Sequence, residues 1–238
     1  MSMKRNFFAL DGKSSTDFGA WVARSNAWDG AMHDDSSIEV PGRNGALVYS
    51  NGRWHNFELT VTAYIPKGMQ TNVDGLRGYL SSHCGKYYRY EESVKPDEFR
   101  LARYVGPFSL SESDRVGAAF DLVFDCKPQR FLKTGEIPVA YTAAGKIYNP
   151  TLYPARPLVR CYGSSGTVTV NGTPVKVTGC SAYADIDCEL MEVYEGTANR
   201  NGTTTLTNGE FPALDPGENA VSFSGWSRVE IVPRWWTI

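Results

Sequence analysis

The chain has 238 residues, 42% of them hydrophobic, 13% aromatic and 21% charged, with a formal net charge of −2. That hydrophobic share supplies a packed core and excludes a disordered chain, and the length favours two domains. With 24 Lys and Arg against 26 Asp and Glu, scattered rather than clustered, there is no basic surplus for gripping phosphates, which excludes nucleic-acid binding as the main work of the surface.

Met1-Ser2-Met3-Lys4-Arg5-Asn6-Phe7-Phe8 has a basic start but no apolar segment or small-residue cleavage site, and no run reaches membrane-spanning length. The protein is expected to stay where it is made. Further on, Ser37-Ile38-Glu39-Val40 and Ala46-Leu47-Val48-Tyr49 flank the turn sequence Pro41-Gly42-Arg43-Asn44-Gly45. Phe57, Leu59, Val61, Ala63 and Ile65 then alternate with Glu58, Thr60, Thr62 and Tyr64, as in a half-buried strand. Together these predict a projecting hairpin arm from about Ile38 to Ile65. Met69, Val73, Leu76 and Leu80 recur at helical spacing, with Thr71 or Asn72 as cap, while Gly75 and Gly78 weaken the helix.

Tyr87–Tyr90, Phe99–Tyr104 and Ala118–Asp125 return to strand composition. Phe120, Leu122 and Phe124 point one way at period two, and pairing is expected to stop at Pro128, which has no N–H to donate. That handover places a first β domain at 1–132, a linker with one short strand at 133–153, and a second β domain at 154–238. In the second domain, Asn171-Gly172 predicts a two-residue hairpin with Val170 opposite Thr173, Val168 opposite Val175 and Thr169 opposite Pro174. The strand holding Pro174 is expected at a sheet edge. Asn-Gly recurs at 44–45, 51–52, 201–202 and 208–209, each in the composition of a tight turn. Tyr183–Val193 and Ala220–Ile231 supply further strands, closing a sandwich or jelly roll.

No catalytic pattern stands out. The five cysteines form an odd set without repeating spacing, which suits free thiols, and Cys126 and Cys188 fall in register with apolar stripes. His33, His55 and His83 lack metal-like partners apart from the adjacent Cys84, and no nucleophile elbow or phosphate-cradling loop is present. Asp185, Asp187 and Glu189 share a strand face; paired carboxylates suit glycoside hydrolysis or calcium, but a solvated face opposite Ala184, Ile186, Cys188 and Leu190 accounts for them more simply. Trp235 and Trp236 must point to opposite faces, one toward the core; the other, with Trp226, is a candidate for stacking on a sugar ring or anchoring a partner.

In order and spacing, Val40-Pro41-Gly42-Arg43-Asn44-Gly45, the strand Asn56–Ile65, Phe124-Asp125-Cys126-Lys127-Pro128-Gln129-Arg130-Phe131, the segment Gly209–Asn219 and the closing Val232-Pro233-Arg234-Trp235-Trp236 resemble the distal tail protein (Dit) family of siphophages and related prophages. The resemblance implies a mainly β protein: an N-terminal domain with one helix and an arm-like hairpin, six copies of which close a ring, and a C-terminal galectin-like β-sandwich facing outward. It implies a structural role in the virion at the phage tail tip, after assembly in the bacterial host cytoplasm. The hub would join the major tail tube protein and tape-measure protein to the tail-associated fibre or lysin and a receptor-binding protein, with DNA passing through the channel, no cofactor and no membrane insertion. Arg43, Asn44, Tyr49 and Trp54 are then expected near a subunit boundary. The rival reading is a carbohydrate-binding module using Trp226, Trp235 and Trp236 on host-surface glycan; a third is a tail-borne glycosidase using Asp185, Asp187 or Glu189.

Overall fold

Strict alternation builds the first sheet. In a computed structural model describing residues 6–113, 116–207 and 209–238, Phe57–Ile65 buries Leu59, Val61, Ala63 and Ile65. It pairs antiparallel with Ala118–Leu132, whose Phe120, Leu122, Phe124 and Cys126 are fully buried. The sheet continues from Ala118–Leu132 through Glu98–Tyr104, Tyr88–Glu92 and Phe8–Leu10 to Lys13–Ser14, and ends on the other side at Trp21–Ser25. Met69–Ser81 is the expected helix, seating Val73, Leu76 and Leu80 in the same core. Its start differs: Gly68 is the N-cap at φ 68°, and the Asn72 side chain, inside the first turn, donates to the Lys67 carbonyl instead. Gly75 is tolerated because the Phe18 ring packs against it, 3.3 Å from where a Cβ would stand.

The strand does not stop at Pro128. Its pairing with Phe57–Ile65 ends at Cys126 opposite Phe57, but the strand itself runs on to Leu132. Pro128 lies beyond that ladder, where its missing N–H leaves no gap in it. Two compact units result, the first closing at Arg130 and taking in Ile238, the second spanning Phe131–Thr237. Residues 133–153, expected as linker, hold a 3-10 turn at Lys133–Glu136 and two strands, Val139–Tyr141 and Gly145–Asn149, each paired into a sheet of the second unit.

That unit is a β-sandwich. One sheet runs in the order Val139–Tyr141, Arg228–Val232, Leu158–Tyr162, Tyr183–Asp187, Glu192–Glu195, Ala198–Asn199; the other runs Gly145–Asn149, Gly217–Ser224, Gly166–Val170, Thr173–Val177, Thr204–Leu206. Inward side chains from both, among them Val159, Cys161, Val168, Val175, Ile186 and Val221, form one core. The Asn171-Gly172 hairpin has the predicted register, with φ of 49° and 77° at the two turn residues. The strand of Pro174 is not an edge: Thr204–Leu206 pairs with its Val175–Val177, and Pro174 sits just past that pairing. The other Asn-Gly sites behave differently. Gly45 ends the arm's tip turn, Gly52 forms a bulge at φ 68°, Asn201-Gly202 lies in a 3-10 turn, and Asn208, like residues 1–5, is outside the described residues. Leu190, expected in the core, is 64% exposed because its strand ends at Asp187 and a turn follows.

Candidate functional site

The arm is shorter and earlier than the sequence suggested. It is the two-stranded hairpin of His33–Glu39 and Ala46–Trp54, whereas Phe57–Ile65 belongs to the main sheet because its alternating apolar residues fill the core. The pairing sets Ile38 opposite Leu47 and Ser36 opposite Tyr49, so Ile38, Leu47 and Tyr49 share one face. Tyr49 is 64% exposed and Val48 on the other face is 71% exposed. Arg43 and Asn44 stand exposed in the tip turn, and Trp54 is half-buried at the root, edge-on to the His33 ring at 4.7 Å. The root is also where polar side chains meet. Arg53 Nε donates to Asp34 at 2.5 Å, His55 lies 3.3 Å from Asp34, and His33 lies 2.7 Å from Asp35. The Arg53 hydrogen bond holds the Asp34 carboxyl below its ordinary pKa. Of the four expected boundary residues, then, Arg43 and Asn44 sit together at the tip, Tyr49 halfway along and Trp54 at the base.

In the second unit, Asp185 and Asp187 are not solvated. Both are almost wholly buried, each clasped by an arginine. Arg160 Nε and Nη2 donate to the two oxygens of Asp185 at 2.7 and 2.8 Å, and Arg234 Nη1 and Nη2 donate to those of Asp187 at 2.8 Å each. Asp187 also accepts from the backbone N–H of Glu189 and Leu190, each at 3.0 Å. Burial pushes the Asp187 carboxyl up, but Arg234 and these backbone donors outweigh it and leave its pKa below the ordinary value. A glycosidase acid must hold a proton near neutrality. Asp187 is built to stay ionised, and Glu189 lies apart in the exposed turn that follows.

One of the two neighbouring tryptophans goes to the core, as expected, while Trp226 departs from expectation by joining it. Trp226 and Trp235 are both core residues, at 6% and 5% exposure. Trp226 lies in a slot floored by glycine, with a Cβ on Gly166 falling 2.8 Å from its ring. Trp236 is half-buried, stacked on Tyr153 at 4.5 Å and donating Nε1–H to the Pro154 carbonyl. The exposed tryptophan is Trp28, at 74%, with Lys95 Nζ 4.1 Å above its ring. Its setting, Asn26-Ala27-Trp28-Asp29-Gly30, is the signal that sequence reasoning passed over, for turn-forming neighbours keep a ring out of a sheet core.

The described cysteines are not set up as nucleophiles. Cys126, Cys161, Cys180 and Cys188 are buried and unpaired, and Cys84 is exposed. Burial pushes the Cys126 and Cys188 thiols up to about 12, and raises those of Cys161 and Cys180. Among the described residues no three His, Cys, Asp or Glu side chains are grouped to hold a metal, and no helix is long and apolar enough to cross a membrane.

No family model and no curated protein matches the chain. Among solved structures it is similar to the Dit protein (gp 19.1) of phage SPP1, with a TM-score of 0.76 over 99% of this chain and 100% of that one, at 17% identity. The chain has the Dit fold. Two chains of the phage p2 baseplate in its activated conformation, one with strontium and one with calcium, are similar to this chain more loosely, with TM-scores of 0.53 and 0.55 at 9% identity over 96% of this chain and 97% of each of theirs. SPP1 Dit is described as a paradigm of the hub adsorption apparatus of phages that infect Gram-positive bacteria. The Dit fold agrees with the mainly β, one-helix architecture expected from the sequence.

Proposed function

We propose that this chain is a structural component of a phage tail tip, a hub whose copies, six by the family resemblance, close into a ring. The observation that carries the reading is the likeness to SPP1 Dit, which runs the full length of both chains rather than over one sandwich alone. The first unit forms the ring, and the second unit meets other tail components. The ring joins the tail tube and tape-measure end to the fibre, lysin or receptor-binding apparatus and leaves a channel for DNA. A net charge of −2 suits such a channel, since DNA must slide and phosphate contacts would retard it.

The arm supplies the physical motive for assembly. An isolated two-stranded hairpin is marginal in water, yet this one displays Ile38, Leu47, Val48 and Tyr49 to solvent. Laying the face of Ile38, Leu47 and Tyr49 on a neighbouring copy buries those three side chains, and a head-to-tail contact repeated by rotation closes a cycle. Arg43, Asn44, Tyr49 and Trp54 accordingly lie near the subunit boundary.

Light scattering and native mass spectrometry of the full chain test this. A mass of six copies is expected, reduced to one copy when residues 36–49 are replaced by a short turn. A ring that survives the replacement sinks the arm's role. A chain that stays monomeric and also fails to enter tails assembled with the tail tube protein sinks the hub reading. The carbohydrate-binding alternative has lost its platform, because Trp226 and Trp235 are buried and Trp236 already stacks on Tyr153. Glycan-array binding abolished by Trp236→Ala would restore it.

A further inference from the structure

Close to the loop that carries Trp28, the first unit buries a set of charges whose pairing inside the protein is incomplete. Arg100 and Glu92 are 5% and 8% exposed, and with Lys95, Glu98 and Arg130 they line a pocket of about 20 Å3. Much of the cluster is satisfied. Glu92 Oε1 accepts from Ser25 Oγ at 2.9 Å and from the Tyr90 hydroxyl at 2.8 Å. Arg100 Nη2 donates to the carbonyls of Ala27 and Asp29 at 3.0 and 3.1 Å, and Arg130 Nη2 donates to the Ile238 carbonyl. Three atoms remain: Arg100 Nη1, Arg130 Nε and Glu98 Oε2 are buried and have no hydrogen-bond partner among the described residues. Glu98 Oε2 lies 3.6 Å from both Lys95 Nζ and Arg130 Nη1, close enough for charge attraction and too far for a hydrogen bond. Burial holds the pKa of Arg100 and Lys95 below, and that of Glu92 above, the ordinary value, which marks a site still short of polar partners.

Two donors and one acceptor are the complement of one molecule that accepts twice and donates once. A buried water commonly makes about three hydrogen bonds and needs roughly 10–15 Å3. The pocket is large enough for that guest. A chloride ion would suit the two guanidinium donors but would set a second negative charge against Glu98 and leave its oxygen without a donor.

We propose that this pocket is a structural water site, in which one ordered water accepts from Arg100 Nη1 and Arg130 Nε and donates to Glu98 Oε2. The water ties the strand Glu98–Tyr104 to Arg130. Through the bonds of Arg100 to Ala27 and Asp29 it also fixes the loop that presents Trp28.

A crystal structure of the full chain, with a parallel bromide soak, tests the site. The expected result is a fully occupied water peak within about 3.2 Å of all three atoms, without bromide anomalous signal there. An anomalous peak would show an anion site and overturn the proposal, as would side chains that bond one another directly around an empty centre. Oxygen-17 relaxation dispersion in solution gives a second reading. Glu98→Leu should lower the count of long-lived internal waters by one relative to the parent; an unchanged count in a folded variant overturns the proposal.

Discussion

Arg234→Ala should destabilise the second unit by about 2–3 kcal/mol. Breaking a buried ion pair by removing one partner costs about 3–5 kcal/mol when the remaining charge is stranded. Asp187 is placed for that outcome, its side chain 4% exposed and bound through two guanidinium contacts of 2.8 Å. Two features reduce the loss. The backbone N–H groups of Glu189 and Leu190 stay on the carboxylate, and the Arg234 side chain is 31% exposed, so part of its charge is already solvated. Arg234 also sits at φ 60°, a left-handed conformation costing a non-glycine residue about 1–2 kcal/mol. Arg234→Gly loses the same pair while relieving that strain, and should be milder than Arg234→Ala by up to about 1 kcal/mol after the added freedom of the unfolded chain.

Urea unfolding followed by tryptophan fluorescence reads the difference, with a midpoint shift of about 1–2 M at a slope of roughly 1.5 kcal/mol per M. The pH dependence supplies an independent sign. Asp187 takes up a proton less readily folded than unfolded, so its contribution is complete above the unfolded aspartate pKa of about 3.9 and fades as pH falls toward the lower folded value. The gap between parent and Arg234→Ala should therefore narrow below about pH 4. A change under about 0.5 kcal/mol at pH 7, or a gap that widens in acid, would refute the assignment of Asp187 as an arginine-stabilised buried carboxylate.

Phe124→Ala should cost the first unit about 3–5 kcal/mol, because the ring is fully buried against Phe8, Tyr90 and Tyr104 at centroid distances of 5.7, 5.0 and 5.9 Å; calorimetry showing less than about 1 kcal/mol would mean that the core collapses around the hole. Gly166→Ala should destabilise more than Gly172→Ala, since a Cβ at 166 falls 2.5 Å from the Ser224 carbonyl and 2.8 Å from the Trp226 ring, whereas position 172 has open space and only its φ of 77° to resist. Losses of roughly 2 or more against about 1 kcal/mol are expected in thermal unfolding, and the reverse order would contradict the slot around Trp226. Tyr49→Ala should leave the isolated chain's stability within about 0.5 kcal/mol, given the exposure of its ring, while weakening ring assembly in native mass spectrometry; equal assembly would remove Tyr49 from the boundary.

How much was legible in the sequence depended on whether a signal was local. The Asn171-Gly172 hairpin was readable to the residue because a two-residue turn fixes the pairing of both strands. The helix face and the stripes at 57–65 and 118–126 were readable because one side of each meets a core. The arm's first strand, His33–Glu39, was not: both faces meet solvent, so its residues carry no alternation to mark its start. Asp185 and Asp187 looked solvated because their arginines lie 25 and 47 residues away, a pairing that only the closed sandwich creates. Trp226 looked exposed for a related reason, since the glycines that make room for it belong to a neighbouring turn and strand.

The uneven burial of the thiols gives each copy of the chain one chemical handle. A maleimide dye applied near neutral pH should find Cys84, at the end of the helix, and pass over the four sulfurs enclosed in the two cores. Dye-to-protein stoichiometry would then be one without any engineered residue, and stepwise photobleaching of labelled particles would count the subunits in a tail directly.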